Sequence, residues 1–307
     1  MRNKILGKIT RRLSSPKALF DYLLCKFGPV IPDRPFLRLR FKLKNGYRLD
    51  LKNPRTYNEK LQWLKLYDRN PEYTKMVDKY EVKRYVAGII GEEYVIPTLG
   101  VWERAEDIDF DALPNQFVLK CTHDSGGIVV CRDKAALNIR EAVGKLSKGL
   151  KTDFYNINRE WPYKNVKRRI IAEEYKEDES GELADYKFFC FDGEPKILFV
   201  ATDRLSAEET KFDFYDLEWN HLPVLCGHPN RECPIPKPSN LAEMIDVARK
   251  LSSGIPHVRV DLYNCNGRVY FGELTFFHWS GFKTFMPFEW NYTLGSWLNL
   301  PGKGEIR

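Results

Sequence analysis

The sequence predicts an α+β fold, because segments typical of strands and of helices follow one another without a regular repeat. An Asn266-Gly267 step lies between two apolar runs rich in β-branched and aromatic residues, which predicts a β-hairpin over residues 258–275. A second pair of apolar runs encloses a glycine turn in residues 116–131 and predicts another strand–turn–strand unit.

Helical patterns occur on both sides of this second unit. Gly28-Pro29 ends the first helix, Asn53-Pro54 precedes the second, and Gly91 closes the third. The prolines and the alternating basic and apolar residues of segment 29–53 predict an irregular connection. Five helices are expected, over residues 17–28, 57–66, 73–90, 135–150 and 240–251.

Strands outside the two hairpins are short apolar runs bounded by turn residues. Residues 152–169 show no clear period, and residues 220–238 hold five prolines and predict a loop. Five such strands are expected, over residues 94–102, 169–175, 186–191, 196–202 and 211–215.

Composition narrows the class of protein. The 307 residues are 43% hydrophobic and 30% charged, which is typical of a globular chain. No apolar run reaches the roughly 18 to 20 residues that span a bilayer. The seven cysteines are scattered without a CxxC pair, so we expect a reduced, cytoplasmic protein.

The first twenty residues are basic and contain no acidic residue. Ile5, Ile9 and Leu13 recur at helical spacing among the basic residues, a pattern compatible with peripheral contact of residues 1–16 with an anionic membrane. A solvated tail is the alternative. Nucleic-acid binding is not expected, because basic and aromatic residues do not interleave in a recognisable module.

Polar residues of the hairpin 258–275 share one face. Side chains alternate along a strand, so Arg259 and Asp261 point the same way, as do Glu273 and Thr275 on the second arm. Folding the hairpin is expected to bring Asp261 and Glu273 together beside Arg259. Carboxylates are ligands for Mg²⁺ and arginine binds phosphoryl oxygens. A plain hairpin with a solvated outer face is the alternative interpretation of the same residues.

The glycine turn follows a strand that ends in Lys120. Ser125, Gly126 and Gly127 predict a flexible flap whose backbone N–H groups can close over phosphates. A simple hairpin turn is the alternative.

A third candidate site is the acidic end of the strand 169–175. Glu173, Glu174 and Tyr175 are placed to meet an adenine edge, and Asp185-Tyr186-Lys187 follows. A solvated strand end is the alternative.

Other polar residues are weaker candidates. One group has residue types that bind zinc, but its spacing departs from the usual zinc-ligand patterns; it comprises His221, Cys226, His228 and Cys233. His123 and His278 flank the two hairpin sites and are candidates for substrate contact. An aromatic run near the C-terminus is expected to be core; it comprises Trp279, Phe282, Phe285, Phe288 and Trp290.

The order of these sites resembles the ATP-grasp superfamily. Four motifs resemble its TupA-like branch over about residues 50–300: Asn58-Glu-Lys-Leu-Gln-Trp63, Asp78-Lys-Tyr80, Tyr186-Lys-Phe-Phe-Cys-Phe-Asp-Gly193 and His278-Trp-Ser-Gly281. The resemblance implies an ATP-grasp fold, in which two α+β subdomains clasp ATP behind a helical N-terminal region. The implied divisions are a basic amphipathic arm (1–28), a helical region (29–115), an N-terminal subdomain with the flap (116–176) and a C-terminal subdomain with the metal hairpin (177–307).

The resemblance also implies roles for residues. ATP and Mg²⁺ are the implied cofactors. Asp261, Glu273 and Thr275 are the implied metal ligands, and Arg259 and Lys120 the implied catalytic residues. Members usually carry Glu-x-Asn where this chain has Glu273-Leu-Thr275, and threonine is the weaker ligand. The implied ATP-binding residues are Lys79, Lys120, Ser125, Gly126, Gly127, Glu173, Glu174, Tyr175, Asp185 and Lys187.

The activity implied by the resemblance is a carboxylate–amine ligase that works through an acyl phosphate. TupA-like proteins are associated with cell-surface polymers such as a teichuronopeptide, so small or polymer-linked carboxylates and amines are the expected substrates. Substrate residues are expected in segments 152–169 and 203–238. A glycosyltransferase, in which Lys120 and its flap have no role, and a non-catalytic ATP-binding module are the alternatives.

Overall fold

The structure, a computed structural model, describes residues 15–124, 126–179, 181, 183–203 and 209–302. Within these residues the strands form two antiparallel sheets, with orders β1-β4-β2-β3 and β10-β9-β5-β6-β7-β8. The predicted α+β class is confirmed. The strands are β1 (Thr98–Trp102), β2 (Phe117–Cys121), β3 (Ile128–Cys131), β4 (Ile170–Glu174), β5 (Asp185–Phe191), β6 (Glu194–Thr202), β7 (Lys211–Tyr215), β8 (His221–Leu222), β9 (His257–Cys265) and β10 (Arg268–Thr275).

Helices surround the sheets, and short 3₁₀ segments connect several elements. None of the described helices combines the length and apolar composition needed to cross a bilayer. The α-helices are α1 (Pro16–Lys26), α2 (Asp33–Asn45), α3 (Tyr57–Tyr67), α4 (Glu72–Val77), α5 (Glu81–Ile90), α6 (Ile139–Leu150), α7 (Phe154–Asn158), α8 (Leu241–Ser252) and α9 (Glu289–Trp297). The 3₁₀ segments are Gly28–Val30, Glu92–Tyr94, Ala105–Asp107, Lys134–Ala136, Trp161–Asn165 and His278–Gly281.

Two expectations for the helical region are wrong. Segment 29–53 contains helix α2, which tolerates Pro35 because the proline lies in the first turn, where its missing N–H has no intrahelical partner. The single helix expected over 73–90 is two helices, α4 and α5. Asp78 has an extended backbone between them, and its carboxylate accepts the N–H groups of Tyr80 and Glu81.

The start of helix α3 is set by a capping box. The Thr56 side chain accepts the N–H of Glu59, and the Glu59 carboxylate accepts the N–H of Thr56. Asn58, Gln62 and Lys65 of this helix are buried, although all three are polar. The helix therefore carries polar groups into the interior, where each needs a partner.

The larger sheet forms the main core. Strand β5 is buried along its whole length, as expected for a strand between two neighbours in a sheet covered on both faces. Helices α3, α5 and α8 contribute to the same cluster of buried residues. The smaller sheet has its own cluster, which includes Phe117, Leu119 and Leu146. The domain boundaries implied by the resemblance remain a prediction, and β1, from segment 29–115, pairs with β4 of the smaller sheet.

Candidate functional site

A β-bulge brings the polar residues of the metal hairpin onto one face. The predicted hairpin is confirmed, with positive φ at Asn266 and Gly267 as a type I′ turn requires. Strand pairing shifts between Phe271 and Glu273, which leaves Gly272 as the extra residue. Glu273 therefore lies opposite Asp261, and Thr275 opposite Arg259. An unbulged ladder would place Gly272 opposite Asp261 and turn Glu273 to the other face.

Glycine is needed at this bulge. A Cβ atom at position 272 would lie 3.0 Å from the carbonyl oxygen of Asp261 and 3.2 Å from the Tyr263 ring. The backbones of the two strands thus approach closely next to the carboxylate pair.

Asp261 is held by two cations. Arg259 donates from Nε and Nη2 to the two carboxylate oxygens, each at 2.6 Å, and Lys187 also donates to Asp261. Lys187 pairs in addition with Asp185 at 2.6 Å. All four groups are buried, and the mutual pairing offsets the cost of removing these charges from water.

Glu273 is the more accessible carboxylate of the pair. Arg259 Nη2 lies 3.4 Å from Glu273 Oε1 and 3.0 Å from Thr275 Oγ1, and the Thr275 hydroxyl lies 3.2 Å from Glu273 Oε1. Partial burial raises the pKa of Glu273, but Lys79, Lys187 and Arg259 outweigh it and bring the pKa to about 2. Glu273 is therefore an ionised oxygen ligand at neutral pH.

His278 supports the arginine from its other side. Arg259 Nη1 lies 2.6 Å from His278 Nδ1, and His278 Nε2 lies 3.7 Å from Cys226 Sγ. Arginine only donates, so Nδ1 must be the acceptor and Nε2 carries the proton. Burial, followed by the charge of Arg259, lowers the pKa of His278 well below its ordinary value, so the ring is neutral.

Glu173 joins two lysines near the end of strand β4. Its carboxylate lies 2.5 Å from Lys120 Nζ and 2.6 Å from Lys83 Nζ. Burial favours the neutral lysine, yet Glu173 and nearby Tyr263 and Glu273 hold the pKa of Lys120 above its ordinary value. Sequence patterns missed Lys83, although it follows Lys79 by one helical turn.

Lys79 is bound to the glycine turn. Its Nζ lies 2.5 Å from the carbonyl oxygen of Asp124, and its N–H donates to the carbonyl of Thr122. Gly127 donates its N–H to the Asp124 carboxylate at 3.0 Å. Gly126 is exposed, and Ser125 lies outside the described residues. Closure of this turn over phosphates stays a prediction.

An apolar slot lies beside Glu173 and Lys120. Its volume is about 180 Å³. Glu174 and Tyr175 line it, as do apolar residues of both sheets, so its shape and lining suit a flat aromatic base with a polar edge. The lining residues include Ile96, Val118, Ile128, Val130, Leu183 and Tyr263.

Asp185 does not line this slot, although Tyr263, its partner on strand β9, does. It is buried and pairs with Lys187 within the charged cluster around Asp261. Its implied contact with a ribose hydroxyl stays a prediction.

A larger cavity lies beside the charged cluster. Its volume is about 670 Å³, and Arg259, Glu273 and Lys187 form part of its wall. Lys79 lines both this cavity and a cleft whose wall includes Lys120 and Glu173 of the apolar slot. The cleft therefore connects the apolar slot with a space large enough for a second ligand.

The remaining wall of the larger cavity is basic and aromatic. Four residues of segment 152–169 line it, together with Phe212 of segment 203–238. Trp279, expected to be core, is 45% exposed and also lines the cavity. The other lining residues include Arg40, Lys44, Phe154, Asn158, Glu160, Tyr163, Ser280 and Lys283.

The His278–Gly281 segment has a strained backbone. Trp279, Ser280 and Gly281 have φ values of 48°, 55° and 63°, a run that is rare for residues with side chains. Gln62 Nε2 binds the carbonyls of Ser280 and Gly281 at 3.0 and 3.1 Å. Asn58 binds the carbonyl of Lys283 at 2.9 Å. Helix α3 thus holds the strained segment against the larger cavity.

A buried lysine and glutamate complete this support, and sequence patterns missed both. Lys65 donates to the carbonyls of Ser280 and Asn158, at 2.7 and 2.9 Å, and to Gln62 at 3.1 Å. Ser280 donates its hydroxyl to Glu160. Burial lowers the pKa of Lys65 to about 7 against the opposing charge of Glu160, and burial raises the pKa of Glu160. The sequence signal for Lys65 was its position on the otherwise apolar face of α3.

Comparison with known proteins decides the family. The sequence matches TupA-like ATPgrasp proteins over residues 59–299. The chain belongs to the TupA-like ATP-grasp family. The resemblance noted from the motifs is therefore confirmed. No curated protein matches the sequence.

Several solved structures are partly similar. D-alanine–D-alanine ligase from Bacillus anthracis, complexed with ATP, is 16% identical over 65% of this chain and 53% of that chain, with a TM-score of 0.38. The Helicobacter pylori D-alanine–D-alanine ligase is 14% identical over 79% and 69%, with a TM-score of 0.41. ATP-grasp ligase PsnB, complexed with a phosphomimetic variant of its minimal precursor, Mg and ADP, is 12% identical over 86% and 65%, with a TM-score of 0.41. This chain spans 53% of the length of the Bacillus anthracis D-alanine–D-alanine ligase.

The residues of this TupA-like ATP-grasp protein fit ATP and Mg²⁺. The slot is apolar, Lys79 and Lys120 are cations next to it, and Asp261 and Glu273 supply hard oxygen donors. In the part of the chain that the structure describes, no group of three or more His, Cys, Asp or Glu side chains is arranged to hold a metal. Magnesium at this site would therefore take further ligands from phosphate oxygens and water.

Proposed function

We propose that this protein is an ATP- and Mg²⁺-dependent carboxylate–amine ligase. The observation that carries the proposal is the continuity between the apolar slot and the larger cavity. Lys120 and Glu173 line the slot and the adjoining cleft, and Lys79 lines that cleft and the cavity. The charged cluster, which comprises Arg259, Asp261, Glu273 and Lys187, lies at the wall of the cavity. The slot receives adenine, the cluster receives the phosphates and metal, and the cavity receives the carboxylate and the amine.

The residues have distinct tasks in this reaction. Lys79 and Lys120 bind phosphate oxygens, and Asp261 and Glu273 hold Mg²⁺, which neutralises phosphate charge when bound. Arg259, fixed by Asp261 and His278, stabilises the negative charge that builds up on the transferring phosphoryl group.

The chemistry has two steps. A carboxylate oxygen of the substrate attacks the γ-phosphorus, the bond to the ADP oxygen breaks, and an acyl phosphate forms. The amine then attacks the carbonyl carbon, loses a proton and displaces phosphate, which leaves an amide. Closure of the glycine turn excludes water from the acyl phosphate.

We further propose a cytoplasmic role in assembling a bacterial cell-surface polymer of the teichuronopeptide type. Membership of the TupA-like family supports this proposal, as does a basic, aromatic cavity suited to an acidic substrate.

The experiment is substrate-dependent release of ADP from Mg-ATP. Glutamate and uronic acids are supplied as carboxylates, and amino sugars or hydroxylamine as nucleophiles, since hydroxylamine traps acyl phosphates as hydroxamates. Hydroxamate formation that is lost in Asp261→Asn and kept in Asp213→Asn is the expected result. Asp213 is an equally buried aspartate outside the site.

Other outcomes contradict the proposal. Turnover of nucleotide sugars without ATP favours a glycosyltransferase. ATP binding without ADP release, for every pair supplied, favours a binding module in which Thr275 has weakened the metal site. Absence of ATP binding excludes both the ligase and the binding module.

A further inference from the structure

The outer face of helix α1 is apolar. Leu19, Phe20, Tyr22 and Leu23 are all exposed, and the apolar surface continues through Phe27 and Val30, which are 56% and 81% exposed. At 100° per residue, the four helical positions and Phe27 fall within one arc of the helix. A globular protein normally turns such an arc toward its core.

The inner face of the same helix holds its acidic residue. Asp21 pairs with Arg40 at 3.0 Å and with Lys44 at 2.7 Å, while Leu24 is buried beside it. The amphipathicity of α1 is therefore inverted, with its carboxylate inside and its large apolar side chains outside. Arg40 and Lys44 both line the larger cavity.

The exposed charges of helix α1 itself are positive. Lys17 and Lys26 of the helix are exposed, and Asp21, already paired, is the only acidic residue in the first 32 positions. The same stretch of sequence contains seven lysine and arginine residues. Apolar and aromatic side chains framed by basic ones fit the headgroup region of an anionic bilayer.

We propose that helix α1 and the Phe27–Val30 turn form a docking surface for an anionic membrane. Phe20, Leu23 and Phe27 enter the boundary between headgroups and acyl chains, and Lys17 and Lys26 contact lipid phosphates. A second copy of the chain is the poorer occupant, because a symmetric contact through this face would oppose lysines with lysines. Residues 1–14 of the segment for which membrane contact was considered lie outside the described residues, so that expectation stays a prediction, and the present proposal rests on residues 17–30 alone.

Docking through this face also positions the larger cavity. Asp21 connects the membrane-facing helix to Arg40 and Lys44 of the cavity wall through direct ion pairs. The docking helix therefore lies next to two residues of the cavity wall. The proposal of docking itself does not depend on the ligase activity.

Sedimentation with vesicles tests the docking surface in the full-length protein. Vesicles of phosphatidylcholine alone are compared with vesicles of equal parts phosphatidylcholine and phosphatidylglycerol, with unchanged thermal unfolding as the folding control. Wild type is expected to sediment with the anionic vesicles and to be released by salt. Phe20→Ser/Phe27→Ser is expected to weaken partitioning by roughly 10-fold or more.

Two further variants sharpen the result. Ile89→Ser/Ile139→Ser removes exposed apolar side chains elsewhere and is expected to sediment like wild type. Lys17→Glu/Lys26→Glu is expected to lose the preference for anionic vesicles. Equal sedimentation of wild type with both vesicles, or unchanged sedimentation of Phe20→Ser/Phe27→Ser, overturns the proposal. A wild-type dimer that Phe20→Ser/Phe27→Ser converts to a monomer, measured by sedimentation velocity without lipid, overturns it in favour of self-association.

Discussion

The guanidinium of Arg259 donates to both carboxylate oxygens of Asp261, with Nε and Nη2 each 2.6 Å from an oxygen. Lys187, on the neighbouring strand β5, donates to the same carboxylate. Asp261 is thus fully engaged by protein cations, and a metal must compete with them. Glu273 is the member of the pair with solvent access.

This arrangement predicts that metal binding requires nucleotide. Phosphates would attract Lys187 and Arg259 and supply the ligands that the protein lacks, so Mn²⁺, used as a probe for Mg²⁺, should bind roughly 10-fold or more tightly with a non-hydrolysable ATP analogue present. The six-line electron paramagnetic resonance signal of free Mn²⁺ measures this. The analogue without protein is the control, and tight Mn²⁺ binding to the protein alone would contradict the prediction.

Removing the buried ammonium of Lys65 should destabilise the protein. Lys65→Met leaves Glu160 without its opposite charge and leaves the Ser280 carbonyl with one donor fewer, so we expect a loss of about 3–5 kcal/mol in the free energy of unfolding. Urea denaturation measures this loss. Lys65→Met/Glu160→Gln should recover about 1–3 kcal/mol relative to the sum of the single changes.

Lys75 provides an exposed control for the variants of Lys65 and Glu160. It is an exposed helical lysine whose partner is Glu72, so Lys75→Met should cost less than about 1 kcal/mol. Equal losses at Lys65 and Lys75 would mean that the buried network contributes little to stability.

The two glycines of the turn should differ in tolerance. A Cβ atom on Gly127 would lie 2.5 Å from Cys121 Sγ and 2.9 Å from Cys121 Cβ, whereas one on Gly126 would meet open space. Gly127→Ala is expected to lower the free energy of unfolding by about 1–3 kcal/mol, and Gly126→Ala to change it by less than about 0.5 kcal/mol. Thermal and urea unfolding compare them. Similar losses of unfolding free energy for Gly127→Ala and Gly126→Ala would contradict this expectation and show that the turn adjusts its backbone to accept a side chain.

Stability should fall with pH below about 6.5 because of His257. Tyr57 and the Cys190 carbonyl contact its two ring nitrogens, each at 2.8 Å, and burial lowers its pKa from 6.5 to about 3. The unfolded chain therefore binds this proton first, and the contribution present above pH 6.5 is lost progressively toward pH 3. Between pH 6.5 and 5 the loss is about 2 kcal/mol.

Urea denaturation across this pH range measures the slope. His257→Gln should lower stability at neutral pH and flatten the dependence. A slope that His257→Gln does not alter would assign the acid sensitivity to other groups.

Local signals were enough to predict the hairpin and most of the strands. The Asn266-Gly267 turn needs only two residues of positive φ, and alternation then places Arg259 beside Asp261. The break at Asp78 was not predictable from periodicity, because the apolar spacing continues through it. The second helix starts where the Asp78 carboxylate accepts the N–H groups of Tyr80 and Glu81. Helix α2 was missed because its prolines obscured a buried stripe that includes Phe36, Leu37 and Phe41.

Tertiary contacts decide the rest of the site. Glu173 and Lys120 were identified from their strand positions, whereas Lys83 contacts Glu173 only because the tertiary fold brings α5 to the end of β4. Lys65 and Glu160 come from distant segments and meet through Ser280. No local pattern encodes that meeting.

Because of the single extra residue at Gly272, the number of positions between the turn and Glu273 decides which face of the sheet this carboxylate occupies. Counted back from the Asn266-Gly267 turn, Glu273 falls on the side of Asp261 only because one position is skipped. In a related chain that lacks this extra residue, every motif residue can be present while the glutamate points away from the phosphates. Odd or even spacing between turn and glutamate is therefore a better guide to activity in such chains than the identity of the residues alone.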